Sequence, residues 1–462
     1  MGRIARTAET VVPHHELKAY FLRRLLLIPL TLVGITALVF AINRMAPGGP
    51  VERALAGLLG SADGKRARAQ GQGALSPDQV LEVEEKKNRD KGSMRAYAEW
   101  LGLAPRDKEK VGKEFPRDST TVEIPVPGTT FTAKIDRKGG EATIQPPAKT
   151  GPDGVEKDPA ELKRETAELA RWEVRLRSPE EQKRSWDRWM GGVSLAQLPE
   201  YRAILYRPGF DGLLQGSLGI SEKYQEPVGL MILERMPVSL YFFVVEMLVI
   251  YSVCVPLGIL KAIKHRTFLD NSSSVAIFAG FAVPGYALGA LLVVMVGAKL
   301  GWLPIRGFTG DDFETLSTWD KAKDLAAHTL MPLACYLIGS FAFMTMLMKN
   351  NLMDNLAADY VRTATAKGVS YPRAVFRHAF RNSIIPIATT IGDNLALLVA
   401  GSVLVERVFD IDGFGMLQYT SVIDRDEPVM LGVLFFAAAL TAIGKILSDL
   451  AVAVVDPRVS YK

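Results

Sequence analysis

"SSVAIFAGFAVPGYALGALLVVMVGA", residues 273–298, holds no charged side chain. A hydrocarbon core about 30 Å thick needs about 20 apolar residues of helix to cross it. This run is long enough. At that depth no water meets the backbone N–H and C=O groups, so the segment must satisfy them internally. A helix does so, and the run is too long and unbroken for a barrel strand. Pro284, in its middle, predicts a kink. The same criterion selects five further windows, at about 25–43, 238–260, 329–348, 383–405 and 429–449. Six spans are therefore expected.

Three of these windows carry a charge. Glu246 lies in the second, Asp393 in the fifth, and Lys445 near the end of the sixth. A charge inside a bilayer is costly unless it is paired or wet. Glu246 and Asp393 are thus candidate pathway residues, the alternative for each being a structural hydrogen bond to a neighbouring helix. Cys254 and Cys335 both lie within apolar runs, far from any CxxC pattern, and are expected to pack between helices without disulfide or metal chemistry.

The chain has 462 residues and a formal net charge of +5. A basic balance can signal nucleic acid, but here the excess Lys and Arg collect beside the apolar spans, and membrane topology explains that placement better. Arg3, Arg6, Lys18, Arg23 and Arg24 precede the first span. Lys261, Lys264 and Arg266 separate the second from the third, and Arg458 and Lys462 end the chain. With six spans these segments share one side, so both termini are expected in the cytoplasm of a bacterial inner membrane. The first span is expected to be an uncleaved anchor, because "NRMAPGGP" follows it where a small-residue cleavage site would stand.

Residues 51–235 are then extracytoplasmic. "SPDQ" (76–79), "DPAE" (158–161) and "SPEE" (178–181) each predict a helix start, with capping boxes closed by Gln79 and Glu181. Between them, Val122, Ile124, Val126 and then Phe131, Ala133, Ile135 alternate around turns at Pro127-Gly128 and Gly139-Gly140, which predicts two or three short strands. A small α+β unit is expected.

Between the fourth and fifth spans runs "YVRTATAKGVSYPRAVFRHAFRN", residues 360–382, with Arg362, Lys367, Arg373, Arg377, Arg381 and His378 but no acid. Leu352, Leu356 and Val361 recur at helical spacing and Gly368 supplies a stop, so one short amphipathic helix is expected over about 352–368. Pro372 opens a second helical stretch. A basic amphipathic helix can simply lie on anionic lipid.

The wider sequence resembles the permease subunits of dipeptide/oligopeptide-type ABC importers, and within them the Yej-type microcin C and peptide permeases. The likeness is carried by "FLRRLLLIPLTL" (21–32), "RMAPGGPV" (44–51), "LLQGSLGIS" (213–221), "MPVSL" (236–240), "LPIRG" (303–307), "HTLMP" (328–332), "YVRTATAKGVS" (360–370), "RHAFRNSIIP" (377–386), "VLVERVFDIDGFG" (403–415), "RDEPVMLGVL" (425–434) and "DPRVSY" (456–461). Each is weak alone; their order is specific. The resemblance implies an all-α polytopic protein with the six helices of the type I ABC importer permease (MetI-like) fold. Its domains would be 1–50 (cytoplasmic N-terminus and first helix), 51–235 outside, 236–454 (the transmembrane domain) and 455–462 (a cytoplasmic tail).

The resemblance further implies that the basic platform is a coupling helix docking in a cytoplasmic ATPase, through Tyr360, Val361, Arg362, Thr363, Ala364, Ala366, Lys367 and Gly368. Expected partners are a second homologous permease, two ATPase subunits that bind the ATP, an extracytoplasmic solute-binding protein and membrane lipid, without nucleic acid. Two departures stand out: Glu427 replaces a usual aromatic residue, and about 103–203 form an insert that ordinary members lack.

No GxxxxGK[ST] or HExxH occurs, so neither a phosphate-cradling loop of that type nor that zinc site is expected, and no cofactor or enzymatic constellation is proposed. The rivals are an ion-coupled secondary transporter, for which Glu246 and Asp393 would serve, and a ligand-sensing receptor, which the few residues after Asp456 do not favour.

Overall fold

The computed structural model describes residues 14–46, 49–60, 77–116, 119–150, 157–189, 201–400 and 402–455. It forms two compact units, Met1–Thr36 with Ser221–Lys462, and Ala37–Ile220. The division falls within the first helix, His14–Met45.

The second unit is α+β. Its strands are β1 (Arg106–Glu114), β2 (Thr121–Pro125), β3 (Thr132–Lys138), β4 (Glu141–Ile144), β5 (Glu173–Arg177) and β6 (Arg202–Gly209). They make two antiparallel sheets, ordered β1-β6-β5 and β2-β3-β4. The hydrophobic alternation sets the register: Val122, Ile124, Ala133 and Ile135 all turn inward and join Leu205 and Trp172 in one core.

The helix starts follow local chemistry. In "SPEE" the Glu181 N–H donates to Ser178 Oγ at 3.3 Å, and the Ser178 N–H to the Glu181 carboxylate at 3.1 Å, a closed capping box. Asp158 caps Pro159–Leu169 by accepting from the Ala160 N–H at 3.1 Å. Helix Pro77–Lys86 forms where expected, while its proposed cap, Ser76, lies outside the described residues.

The mixed charge of this unit is largely used internally. Lys91 is buried between Glu99 at 2.6 Å and Asp107 at 2.9 Å. Arg202, 1 % exposed, meets Glu85 at 3.0 Å, and Arg177 bridges Glu84 and Glu85. Burial pushes the Glu85 carboxyl up to about 7 against the pull of Arg177, and pushes the Arg202 guanidinium down to about 10. Removing one partner from such a set would strand a buried charge.

The first unit is helical. Among the described residues, four helices are long and apolar enough to cross a membrane, within Tyr20–Leu59, Val228–Ile263, Thr318–Ala357 and Glu427–Val455. The uncharged 273–298 window departs from the simple kink expected for it. It falls on two helices, Phe268–Phe281 and Gly285–Lys299, bent by 86°. Proline disfavours the α conformation in the residue before it, and Pro284 itself is extended (ψ 134°). Gly285 then packs on the next long helix, where an added Cβ would lie 2.6 Å from the Cys335 carbonyl oxygen. The 383–405 window falls on Ile385–Ala400 and Ser402–Phe409. Ser448 joins the first of these to the last helix, accepting from the Gly392 N–H at 2.8 Å and donating to the Thr389 carbonyl at 2.6 Å.

One basic residue used for topology is not a surface charge. Lys261 is fully buried, donating to the Asp270 carbonyl (2.9 Å), Ser273 (2.7 Å) and Ser274 (2.8 Å). The Asp270 carboxylate takes Lys349 on both oxygens, at 2.7 and 2.9 Å. Sequence spacing shows a loop cation; the fold makes it one member of a buried ion set.

Candidate functional site

The basic platform is built from two pieces. The long helix runs on to Ala357, so Leu352 and Leu356 belong to it. At Ala358 the backbone turns extended (ψ 147°), and a separate helix covers Asp359–Ala366. The single helix expected over about 352–368 is therefore corrected to a break followed by eight residues. Asp359 sits in the first turn of the new helix, where an acid favours the exposed N–H groups.

The far end closes as the sequence predicts. Gly368 has φ +88°, its N–H donates to Thr365, and the Val369 N–H reaches back to Ala364 at 3.1 Å. Val361 is 4 % exposed and packs with Met348, Leu352, Val375 and Ala379. It anchors the platform instead of facing a partner, a correction to its expected role. Tyr360, Arg362, Thr363, Ala366, Lys367 and Gly368 are exposed, and Ala364 is half-buried. The Tyr360 hydroxyl is fixed all the same, donating to Asn355 at 2.6 Å and accepting from Asn382 at 3.2 Å. Cys254 packs in the core beneath, buried and free.

A second feature lies among the spans. A cavity of about 310 Å³ is lined by Phe242 and Glu246 of Val228–Ile263, by Phe281, Pro284 and Tyr286 around the 86° bend, and by Tyr336 and Ser340 of Thr318–Ala357. Pro284 thus shapes a cavity wall as well as a bend. Glu246 is half-buried and accepts from the Ser340 hydroxyl at 3.0 Å. The buried Tyr336 hydroxyl has no hydrogen-bond partner among the described residues. Asp393 is exposed and is not among the lining residues, so the two acids paired by sequence do not share this cavity.

Residues 254–461 match the model of the family described as "Binding-protein-dependent transport system inner membrane component". The chain is 30% identical to the "Peptidoglycan transport system permease protein YejB" of Agrobacterium fabrum, over 96% of this chain and 98% of that protein. The chain belongs to this family. It is a permease subunit of an ATP-binding cassette importer, a multi-pass membrane protein that works with ATPase and binding-protein subunits.

The "Oligopeptide transport system permease protein AppB" of Bacillus subtilis is 31% identical to the permease, over 57% of this chain and 81% of the relative. A solved structure of the MetNI methionine ABC transporter in inward-facing conformations matches with a TM-score of 0.39 and 16% identity, covering 50% of this chain and 99% of that one. Coverage separates the first two relatives. The Agrobacterium protein aligns through the segment that carries the α+β unit.

Sequence reasoning missed three parts of the permease. Tyr336 sits in the uncharged 329–348 window, and nothing in its spacing marks an orphan hydroxyl. Ser340 becomes visible only once Glu246 is placed beside it. Glu406 is 1 % exposed and accepts from Ser239 at 2.9 Å and from the Met416 N–H at 2.6 Å. Its signal was present, an acid beside Arg407 in the mainly apolar "VLVERVF", but it lies just past the 383–405 window.

Proposed function

We propose that the permease helps form the pathway by which peptides or peptide-like solutes enter across the bacterial cytoplasmic membrane. In this reading it crosses the membrane six times, with both termini in the cytoplasm and residues 51–235 outside. A second permease of similar fold completes the pathway, two cytoplasmic ATPase subunits bind and hydrolyse the ATP, and an extracytoplasmic binding protein delivers the solute.

The observation that carries the coupling role is the short helix Asp359–Ala366, seated on the core by Val361 and ended at Gly368. A short helix held at one face and exposed at the other can pass on a rigid-body push from a docked ATPase. Tyr360, Arg362, Thr363, Ala364, Ala366, Lys367 and Gly368 form the docking face, with Val361 as its anchor. The names of the relatives, an oligopeptide and a peptidoglycan permease, support the solute class.

Uptake into proteoliposomes by the reconstituted complex tests the proposal. Peptide accumulation that requires ATP and the binding protein is the expected result. Accumulation driven by a proton or sodium gradient without ATP would instead place the chain with ion-coupled secondary transporters.

A further inference from the structure

We propose that Glu246 and Tyr336 form a subsite for the amino end of a peptide in transit, which rests on the peptide-permease reading above. The Glu246 carboxylate takes the terminal ammonium group, and the Tyr336 hydroxyl donates to the neighbouring carbonyl oxygen.

The first support is electrostatic. Glu246 stands at spanning depth with one described hydrogen-bond partner, the neutral Ser340 hydroxyl at 3.0 Å. Among the described residues no Lys, Arg or His lines the cavity. A carboxylate there is costly unless a cation or water answers it. One hydroxyl donor leaves most of its acceptor sites open.

The second support is independent. A phenol hydroxyl buried without a partner loses its hydrogen bonds to water and gains none in return. Among the described residues the Tyr336 hydroxyl is in that state, and Tyr336 is one of the residues that line the same cavity. A peptide's amino end offers what both groups lack, a cationic donor next to a carbonyl acceptor. The other walls suit the same guest, because Phe242, Phe281 and Tyr286 make them aromatic, and aromatic side chains accept an apolar side chain and can attract an ammonium group. At about 310 Å³ the space is at the lower end of small-ligand pockets and fits a chain end better than a long peptide.

A lysine side chain offers the same ammonium without the adjoining carbonyl. The experiment therefore uses three probes: trialanine, N-acetyl-trialanine and N-acetyl-Ala-Lys-Ala. ATP-driven uptake of each is measured with the complete importer in proteoliposomes, carrying wild-type permease, Glu246→Gln or Tyr336→Phe. Because the binding protein is common to all arms, a change in the ratio between probes belongs to the permease. Wild type should take trialanine about ten-fold faster than its acetylated twin, and Glu246→Gln should bring that ratio close to one by slowing trialanine. Tyr336→Phe should slow both alanine peptides about equally, by about five-fold.

An assembled Glu246→Gln complex that keeps the wild-type ratio overturns the subsite and leaves the permease reading standing. Selective loss of the lysine peptide would move the ammonium site to side chains and overturn the amino-end assignment. If Glu246→Gln fails to assemble, unchanged uptake by Tyr336→Phe overturns the proposal. Uptake of none of the three probes by wild type defeats the peptide-permease reading itself.

Discussion

The Ser239 hydroxyl donates to the Glu406 carboxylate at 2.9 Å and accepts from the Phe414 N–H at 2.8 Å. The second Glu406 oxygen takes the Met416 N–H at 2.6 Å. One buried acid, on Ser402–Phe409, therefore ties helix Val228–Ile263 to the start of helix Phe414–Asp424. Glu406→Ala should cost about 3 kcal/mol, because it leaves buried donors without an acceptor. Glu406→Gln should cost less, since its amide oxygen still accepts. Unfolding of the purified permease in detergent, followed by circular dichroism, checks both the loss and its order.

Gly368 stands at φ +88° with no atom within 4 Å of an added Cβ. The penalty for a β-branched residue is thus backbone strain of about 1–2 kcal/mol, not a clash. Gly368→Ile should still insert and assemble, while solute-stimulated ATP hydrolysis separates from uptake. Normal values of both in that variant would remove the coupling role from this helix.

Asp393 is exposed on the chain considered alone, within the helix Ile385–Ala400. A carboxylate at that position needs water or another subunit beside it. Asp393→Asn keeps size and much of the hydrogen bonding, so uptake should fall with the complex still assembled if the residue faces a wet pathway. Lower recovery of the complex on size exclusion would place it at a subunit contact. If neither changes, it has neither role.

Burial lifts the Glu85 carboxyl from its ordinary 4.5 to about 7. Between those values the folded unit holds a proton that the unfolded chain has released. The contribution of this group to stability is therefore full below about pH 4.5, declines as pH rises through about 7, and levels off above. Hydrogen exchange of β6 amides across pH 4.5–8, corrected for intrinsic rates, should show that slope, and Glu85→Gln should flatten it.

The insert expected over about 103–203 does not end where the strands end. β1 and β6 pair from Arg106↔Gly209 to Glu114↔Arg202, so a cut at 203 would split β6. The natural joint is two glycines: a Cβ on Gly212 would lie 2.4 Å from the Gly102 nitrogen. Deleting 103–211 and joining Gly102 to Gly212 through a short Gly-Ser linker should leave the membrane helices folded. If the unit extends the docking surface for the binding protein, stimulation of ATP hydrolysis should weaken. Full stimulation and uptake would mark it as a tolerated insertion.

Long apolar runs, proline positions, capping residues and strict alternation are local signals, and the sequence by itself determined what depends on them. The β2-β3-β4 sheet, the Ser178–Glu181 capping box and the left-handed stop at Gly368 stand where those signals place them, because each is decided within a few residues of backbone. Tertiary structure alone decided the rest. The 86° bend at Pro284 needs Gly285 seated on Cys335. The cavity needs Glu246 of one helix brought to Tyr336 and Ser340 of another. Lys261 became part of a buried set with Asp270 and the distant Lys349, and Val361 an anchor, for the same reason. Burial and pairing are set by neighbours distant in the chain, and no local spacing encodes which neighbours those are.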